Sequence, residues 1–165
     1  MVKVLIIYMS IHHGNTKKVA ERIGKALGAT MLRPAEIPDP DILKKYDLVG
    51  FGSGIYFGKF HRELERFVDS LPAMNGKKAF IFSTSGASSK NFLNKSGMPG
   101  FLNKLTGKGF TLVAEFNCLA FDTWGYLGWI GGINKGRPND LDLSDAEDFA
   151  KKLKAIARTP SESGH

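Results

Sequence analysis

One cysteine, Cys118, stands in a chain of 165 residues. An internal disulfide and a multi-cysteine metal site are therefore both excluded, which suits a reducing compartment, and a cytoplasmic location is expected. Long apolar runs are missing too. Nothing approaches the roughly eighteen consecutive apolar residues that cross a bilayer, and the opening MVKVLIIYMS is too short an apolar stretch for a secretory signal. No integral membrane segment is expected. Three signatures of nucleotide or phosphate chemistry are also absent. The ends of the first and third strand-like runs read Met9-Ser10 and Gly52-Ser53, where a phosphorelay receiver needs acids. None of the Gly-Lys pairs is followed by Ser or Thr, as a P-loop requires, and only one glycine stands where a dinucleotide fold needs Gly-x-Gly-x-x-Gly.

Acids are missing from one long stretch. Between Asp69 and Glu115 there is none, while six lysines (77, 78, 90, 95, 104 and 108) fall there, and five acids cluster from Asp140 to Asp148. The whole chain carries 23 Lys and Arg against 16 Asp and Glu, a net charge of +7. Nucleic acid, anionic lipid and an acidic protein are all candidate partners for such a charge. The lysines at 90, 95, 104 and 108 lack the interleaved stacking aromatics of single-strand binders, so no nucleic-acid binding is expected.

What is present is a core-forming composition, 42% hydrophobic and 24% charged, of one domain's length. Residues 3–9, 47–52, 78–84 and 110–118 are short runs rich in β-branched and aromatic side chains, and a weaker run lies at 29–33. They read as strands, and the first three are nearly continuously apolar, as in a parallel sheet covered on both faces. Between them, helical spacing predicts helices at 15–27 (stopped by Gly28), 60–71 (ended by Pro72), 99–105 and 144–158. Ser144 with Glu147 three residues on predicts a capping box for the last of these. Alternating strands and helices mean right-handed crossovers and a three-layer α/β sandwich on a five-stranded parallel sheet. The expected organisation is one domain over 1–158 with a flexible tail at 159–165.

Function in such sheets collects at the carboxyl ends of the strands. After the first run come Ser10, Ile11, His12, His13, Gly14, Asn15 and Thr16, leading directly into the first helix, whose opening turns hold Lys17 and Lys18. Backbone N–H groups at a helix amino terminus, a glycine that lets the backbone approach, and two hydroxyls make an anion cradle. An ordinary βα turn with a capping residue is the competing reading. The segment YMSIHHGNTKKVAERI resembles the phosphate loop of flavodoxins, in which a hydroxyl-rich stretch ending in Gly-Asn-Thr follows the first strand. Two further loops fall in the matching order. Gly52 to Gly58 (GSGIYFG) stands where flavodoxins place one flavin-ring loop, and Ser83 to Ser88 (STSGAS) where they place the other. The GSGIY segment and the GKFH that follows also resemble flavodoxin-type protoporphyrinogen oxidase.

The resemblance implies strand order 2-1-3-4-5, FMN as cofactor, and three groups of cofactor-binding residues. Ser10, His12, His13, Gly14, Asn15 and Thr16 would hold the phosphate. Ser53, Gly54, Ile55, Tyr56, Phe57 and Gly58 would form one ring loop, and Thr84, Ser85, Gly86 and Ala87 the other. An isoalloxazine is flat and mostly apolar with polar edges, so Tyr56 and Phe57 suit a wall. A glycine in that loop would let a peptide flip toward the ring, with Gly54 and Gly58 both open as the one that does so. The competing reading has Tyr56 and Phe57 closing the core beside Phe60. For His12 and His13 a phosphate contact is favoured over a metal or general-base role, because adjacent side chains in a turn diverge and no acid or cysteine lies nearby.

Residues 119–143 form a connection far longer than usual, glycine-rich and aromatic, with Phe121, Trp124, Tyr126 and Trp129. Three readings compete: a flap that brings Trp124 to the flavin, a homodimer or partner contact, and a structural hairpin. FMN itself carries the electron chemistry, and no acid–base pair or nucleophile stands out as catalytic. An electron carrier between redox partners is therefore favoured over an FMN-dependent oxidoreductase acting on a quinone or porphyrinogen, and over a partner-binding protein that has lost its flavin. The flavodoxins that this chain resembles are typically acidic. The +7 charge departs from them and points to a redox protein partner with an acidic surface; basic side chains near the flavin would stabilise its anionic hydroquinone, so a less negative semiquinone/hydroquinone potential than theirs is expected.

Overall fold

The structure, a computed structural model, describes residues 1–11, 14–56, 58–86, 98–119 and 135–160. Among them, five strands alternate with four helices: β1 (Val4–Met9), α1 (Asn15–Leu27), β2 (Thr30–Leu32), β3 (Leu48–Gly54), α2 (Arg62–Asp69), β4 (Lys78–Ser85), α3 (Met98–Gly107), β5 (Thr111–Leu119) and α4 (Asp140–Arg158). Every strand pair is parallel, and the sheet order is β2-β1-β3-β4-β5. Both the parallel sheet and its order agree with the expectation from sequence. No helix among the described residues is long and apolar enough to cross a membrane.

The strands read as continuous apolar runs because both faces are covered. Leu5, Ile7, Phe51 and Ile81 pack with Leu64 and Phe67 of α2 and with Phe101 and Leu105 of α3. Residues one position along, Val4, Ile6, Phe80 and Phe82, pack on the other face with Val19 and Ile23 of α1 and with Ala146 and Leu153 of α4. The period of two along each strand sends neighbouring side chains to opposite layers. Gly50 and Gly52 make this packing sterically feasible. The rings of Phe80 and Phe82, on the neighbouring strand, come within 2.2 and 2.0 Å of where a Cβ would stand on each.

Helix boundaries show where local spacing misleads. α2 starts at Arg62 with His61 as its cap, since Phe60 is drawn into the core against Phe101, 4.5 Å between ring centroids. α4 starts at Asp140, not at 144. The Asn139 side chain accepts from the Asp142 N–H at 3.0 Å, and the Asp142 carboxylate accepts from the Asn139 N–H at 2.8 Å. That reciprocal box outcompetes the Ser144–Glu147 spacing, because Arg137 also donates from Nε to Asp142 at 2.8 Å and from its terminal nitrogen to the second carboxylate oxygen. Glu147 instead pairs with Arg22 at 3.3 Å, joining α4 to α1. Two 3₁₀ turns, Pro34–Glu36 and Pro40–Lys45, fill a stretch in which no element was expected.

Candidate functional site

The carboxyl end of β1 delivers the chain into α1 through Gly14, which takes φ +65°, a left-handed conformation that glycine adopts without steric cost. Ser10 lies across this turn and accepts from the Lys17 N–H through Oγ at 3.1 Å. The first turn of α1 contains no acid, and Lys17 and Lys18 are exposed beside it. Thr16 points inward. Its hydroxyl lies 2.8 Å from that of Thr84 at the end of β4, and both residues are buried, at 2% and 3% exposure. One of the two hydroxyl protons makes this bond, and the other is available to a further acceptor. Asn15 is buried next to them.

The second loop begins two residues later than its sequence suggests, since Ser53 and Gly54 still belong to β3. Ser53 is fully buried; its hydroxyl donates to the Gly54 carbonyl at 2.7 Å and accepts from the His61 N–H at 2.9 Å. The Ile55 N–H reaches the Thr84 carbonyl at 2.9 Å and carries the ladder one step past the end of β3. Tyr56 and Lys59 then close a tight antiparallel bridge through two backbone hydrogen bonds of 2.8 and 3.0 Å, with Gly58 at φ +74° in the turn. Gly58, not Gly54, is thus the glycine in a positive-φ turn. Tyr56 is half-buried and stands outside the core that encloses Phe60.

The third loop leaves β4 after Ser85, with Gly86 the last described residue before it. Thr84, Ser83 and Ser85 are all buried, Thr84 toward α1 and the two serines toward the opposite face. Asn117 of β5 donates to Ser83 Oγ at 2.8 Å and reaches Ser85 Oγ at 3.4 Å. The structure therefore brings Ser10, Gly14, Asn15, Thr16, Ser53, Gly54, Ile55, Tyr56, Gly58, Thr84, Ser85 and Gly86 to one end of the sheet. His12, His13, Phe57, Ala87 and Trp124 lie outside the described residues. His61 and Asn117 also belong to this end and were not among the expected site residues. Neither has a local motif, since each is placed by a serine on a different element.

Charge is distributed differently from what the acid-free stretch suggests. Lys77 Nζ donates to the Lys44 and Tyr46 carbonyls, and Lys78 Nζ to those of Ile156 and Thr159. Lys104 pairs with Asp69 at 2.8 Å, and Lys108 donates to the Asp69 carbonyl at 2.9 Å. All four sit at the amino-terminal edge of the sheet, opposite the site, because Lys78 opens β4 and the end of α3 returns toward Lys77. They donate to carbonyls and pair with an acid there, away from the loops at the other end, and Lys90 and Lys95 lie outside the described residues. Among the described residues, the exposed cations at the site end include Lys17, Lys18, Lys59 and Arg62.

Near the end of β5, Cys118 is buried, and desolvation pushes its thiol up to about 12. Such burial and so little thiolate disfavour a nucleophilic role. The Arg137 guanidinium holds the Asp142 carboxyl below the usual carboxylate range, against the opposing effect of burial.

Comparison with known proteins agrees with this architecture. Residues 5–117 match the flavodoxin domain family. An uncharacterized protein of Methanocaldococcus jannaschii is 44% identical over 152 residues, 92% of this chain and 98% of its own length. A flavodoxin from the domain Archaea superposes with a TM-score of 0.69 at 20% identity, over 96% of this chain and 100% of that one. Oxidised Flavodoxin 1 of Bacillus cereus gives 0.67 at 18% identity, over 96% and 99%. The matched segment contains all five strands almost in full, together with all three loops at their carboxyl ends, and on that basis the chain belongs to the flavodoxin family.

Proposed function

We propose that the protein binds FMN at the carboxyl end of the sheet and carries electrons between redox partners. The observation that carries this reading is the Thr16–Thr84 hydroxyl pair, buried at the amino terminus of a helix whose first turn has no acid. A buried hydroxyl with a proton to donate, the left-handed Gly14 turn and the adjacent lysines fit a phosphate dianion. The residues present therefore suit a mononucleotide.

Ser10, Gly14, Asn15 and Thr16 would hold the phosphate, with His12 and His13 in the same loop by chain position. Tyr56 would wall the ring, and the Gly58 turn would offer backbone groups to its polar edge; Ser85 and Gly86 would border it from β4. Phe57, Ala87 and Trp124 complete the proposed set from sequence alone. Bound FMN supplies one- and two-electron transfer. The chain orients it, shields it from water and sets its electrostatic surroundings. Lys17, Lys18, Lys59 and Arg62, exposed at this end, favour a partner with an acidic surface and an encounter that slows as salt rises.

The test is to load the protein with FMN, photoreduce one portion and mix it with an oxidised ferredoxin-type protein and with a quinone, and mix the other portion, its flavin left oxidised, with a porphyrinogen that would reduce it. Electron exchange with the ferredoxin-type protein, without turnover of either organic substrate, is expected. Catalytic turnover of quinone or porphyrinogen would replace the carrier reading with an oxidoreductase, and failure to take up FMN would overturn both.

A further inference from the structure

We propose that His61 is a positioning residue for the Tyr56 ring, with a role separate from its capping of α2. The inference rests on the FMN-binding reading for its consequence, but its geometry stands on its own. The His61 ring meets that of Tyr56 edge to face, with centroids 5.8 Å apart and planes at 82°. Tyr56 also lies back over β3, with its hydroxyl 2.8 Å and its ring carbons 3.0 and 3.3 Å from where a Cβ would stand on Gly54. Gly54 is thus the floor on which the tyrosine rests, and His61 is a wall beside it.

The wall is fixed from three directions. The His61 N–H donates to Ser53 Oγ at 2.9 Å, and Ser53 is itself fully buried and bonded to the Gly54 carbonyl. Nδ1 accepts from the Glu63 N–H at 3.2 Å, which in the neutral ring leaves the proton on Nε2. The His61 carbonyl accepts from the N–H groups of Leu64 and Glu65 at 3.0 and 3.2 Å. β3, the start of α2 and the Tyr56 turn therefore meet at one residue, whose backbone ties it to Ser53 and to α2 and whose side chain caps α2 and meets Tyr56. Capping alone would be served better by Ser, Thr, Asp or Asn, which dominate that position. What histidine adds over those residues is a planar ring of the right height to meet another ring. A tyrosine held in one orientation loses less freedom when a flat ligand stacks on it, so the brace should appear as ligand affinity.

Two variants separate the jobs. His61→Asn keeps a capping acceptor and removes the ring, whereas His61→Phe keeps an aromatic edge and removes the acceptor. Each is compared with the wild type by FMN titration, by thermal unfolding and by NMR of the Tyr56 ring protons. His61→Asn is expected to keep a wild-type melting temperature, shift the Tyr56 ring resonances and weaken FMN binding roughly tenfold. His61→Phe is expected to melt several degrees lower and to regain most of the lost affinity. Tyr56 resonances and FMN affinity both unchanged in His61→Asn would overturn the proposal. Tyr56→Ala distinguishes the two levels. If it binds FMN as tightly as the wild type, the placement of flavin at Tyr56 fails, and the Tyr56 resonances in His61→Asn alone then decide the positioning role.

Discussion

Thr16 and Thr84 place their hydroxyl oxygens 2.8 Å apart in a region from which water is almost excluded. The bond joins the first turn of α1 to the last residues of β4, so two of the three site loops are tied together through it. Replacing either threonine by valine leaves the other hydroxyl buried and unmatched, at a cost of about 1–3 kcal/mol. The double variant should cost less than the sum of the singles, because no polar group is then stranded. Urea unfolding of the four proteins measures this, and strict additivity would deny the bond its structural role.

Lys17 and Lys18 flank the cradle in the open. Changing both to glutamine should weaken FMN binding about three- to tenfold at low ionic strength and leave the fold intact, since each acts through its charge near the helix terminus. The difference should shrink as salt is added. Titrations at two ionic strengths check it, and a salt-independent difference would point to lost packing instead.

Much of the fold could be read from local pattern, because the parallel sheet writes itself as apolar runs and Gly28 ends α1 where a left-handed residue is needed. The Ser10–Thr16 segment could be proposed as a phosphate loop for the same reason, as all its groups are adjacent in sequence. What escaped depends on distant partners. The start of α4 is set by Arg137 reaching Asp142, a contact that the spacing of Ser144 and Glu147 does not disclose. His61 is placed by Ser53. The lysines between Asp69 and Glu115 stand out in sequence only as a regional excess of base, and what Lys77, Lys78, Lys104 and Lys108 do, serving carbonyls and acids at the far edge, depends on partners distant in the chain. Among the described residues, Lys17, Lys18, Lys59 and Arg62 support the expectation of a less negative flavin potential, and Lys90 and Lys95 lie outside them.

The Asp142 carboxyl, held low first by Arg137 and then by the Asn139 N–H, adds a pH dependence of known sign. A depressed folded-state pKa contributes stability that is complete above the unfolded carboxylate value and is lost as pH falls through the folded one. Asp142→Asn should therefore be less stable than the wild type at neutral pH, with the gap closing below the ordinary carboxylate range. Urea midpoints across an acid pH series test this, and a gap that stays constant would remove the ionic contribution.

Cys118 gives the opposite limb. Its thiol is raised to about 12 chiefly by burial, so above the ordinary thiol value of about 8.5 the unfolded chain ionises while the folded one does not. Stability should then decline with rising pH by up to about 1.4 kcal/mol per unit from this group, until the folded value is reached. Cys118→Ala should lack that component. The native thiol should also resist a thiol reagent at mildly alkaline pH and react once urea unfolds the chain.

The central claim is a mononucleotide site built around a phosphate cradle, and it is tested most directly by titrating the protein with FMN and, separately, with riboflavin. The account predicts stoichiometric quenching of FMN fluorescence, with riboflavin bound far more weakly because the Ser10–Thr16 loop has no phosphate to hold. Equal binding of the two flavins, or binding of neither, would contradict it.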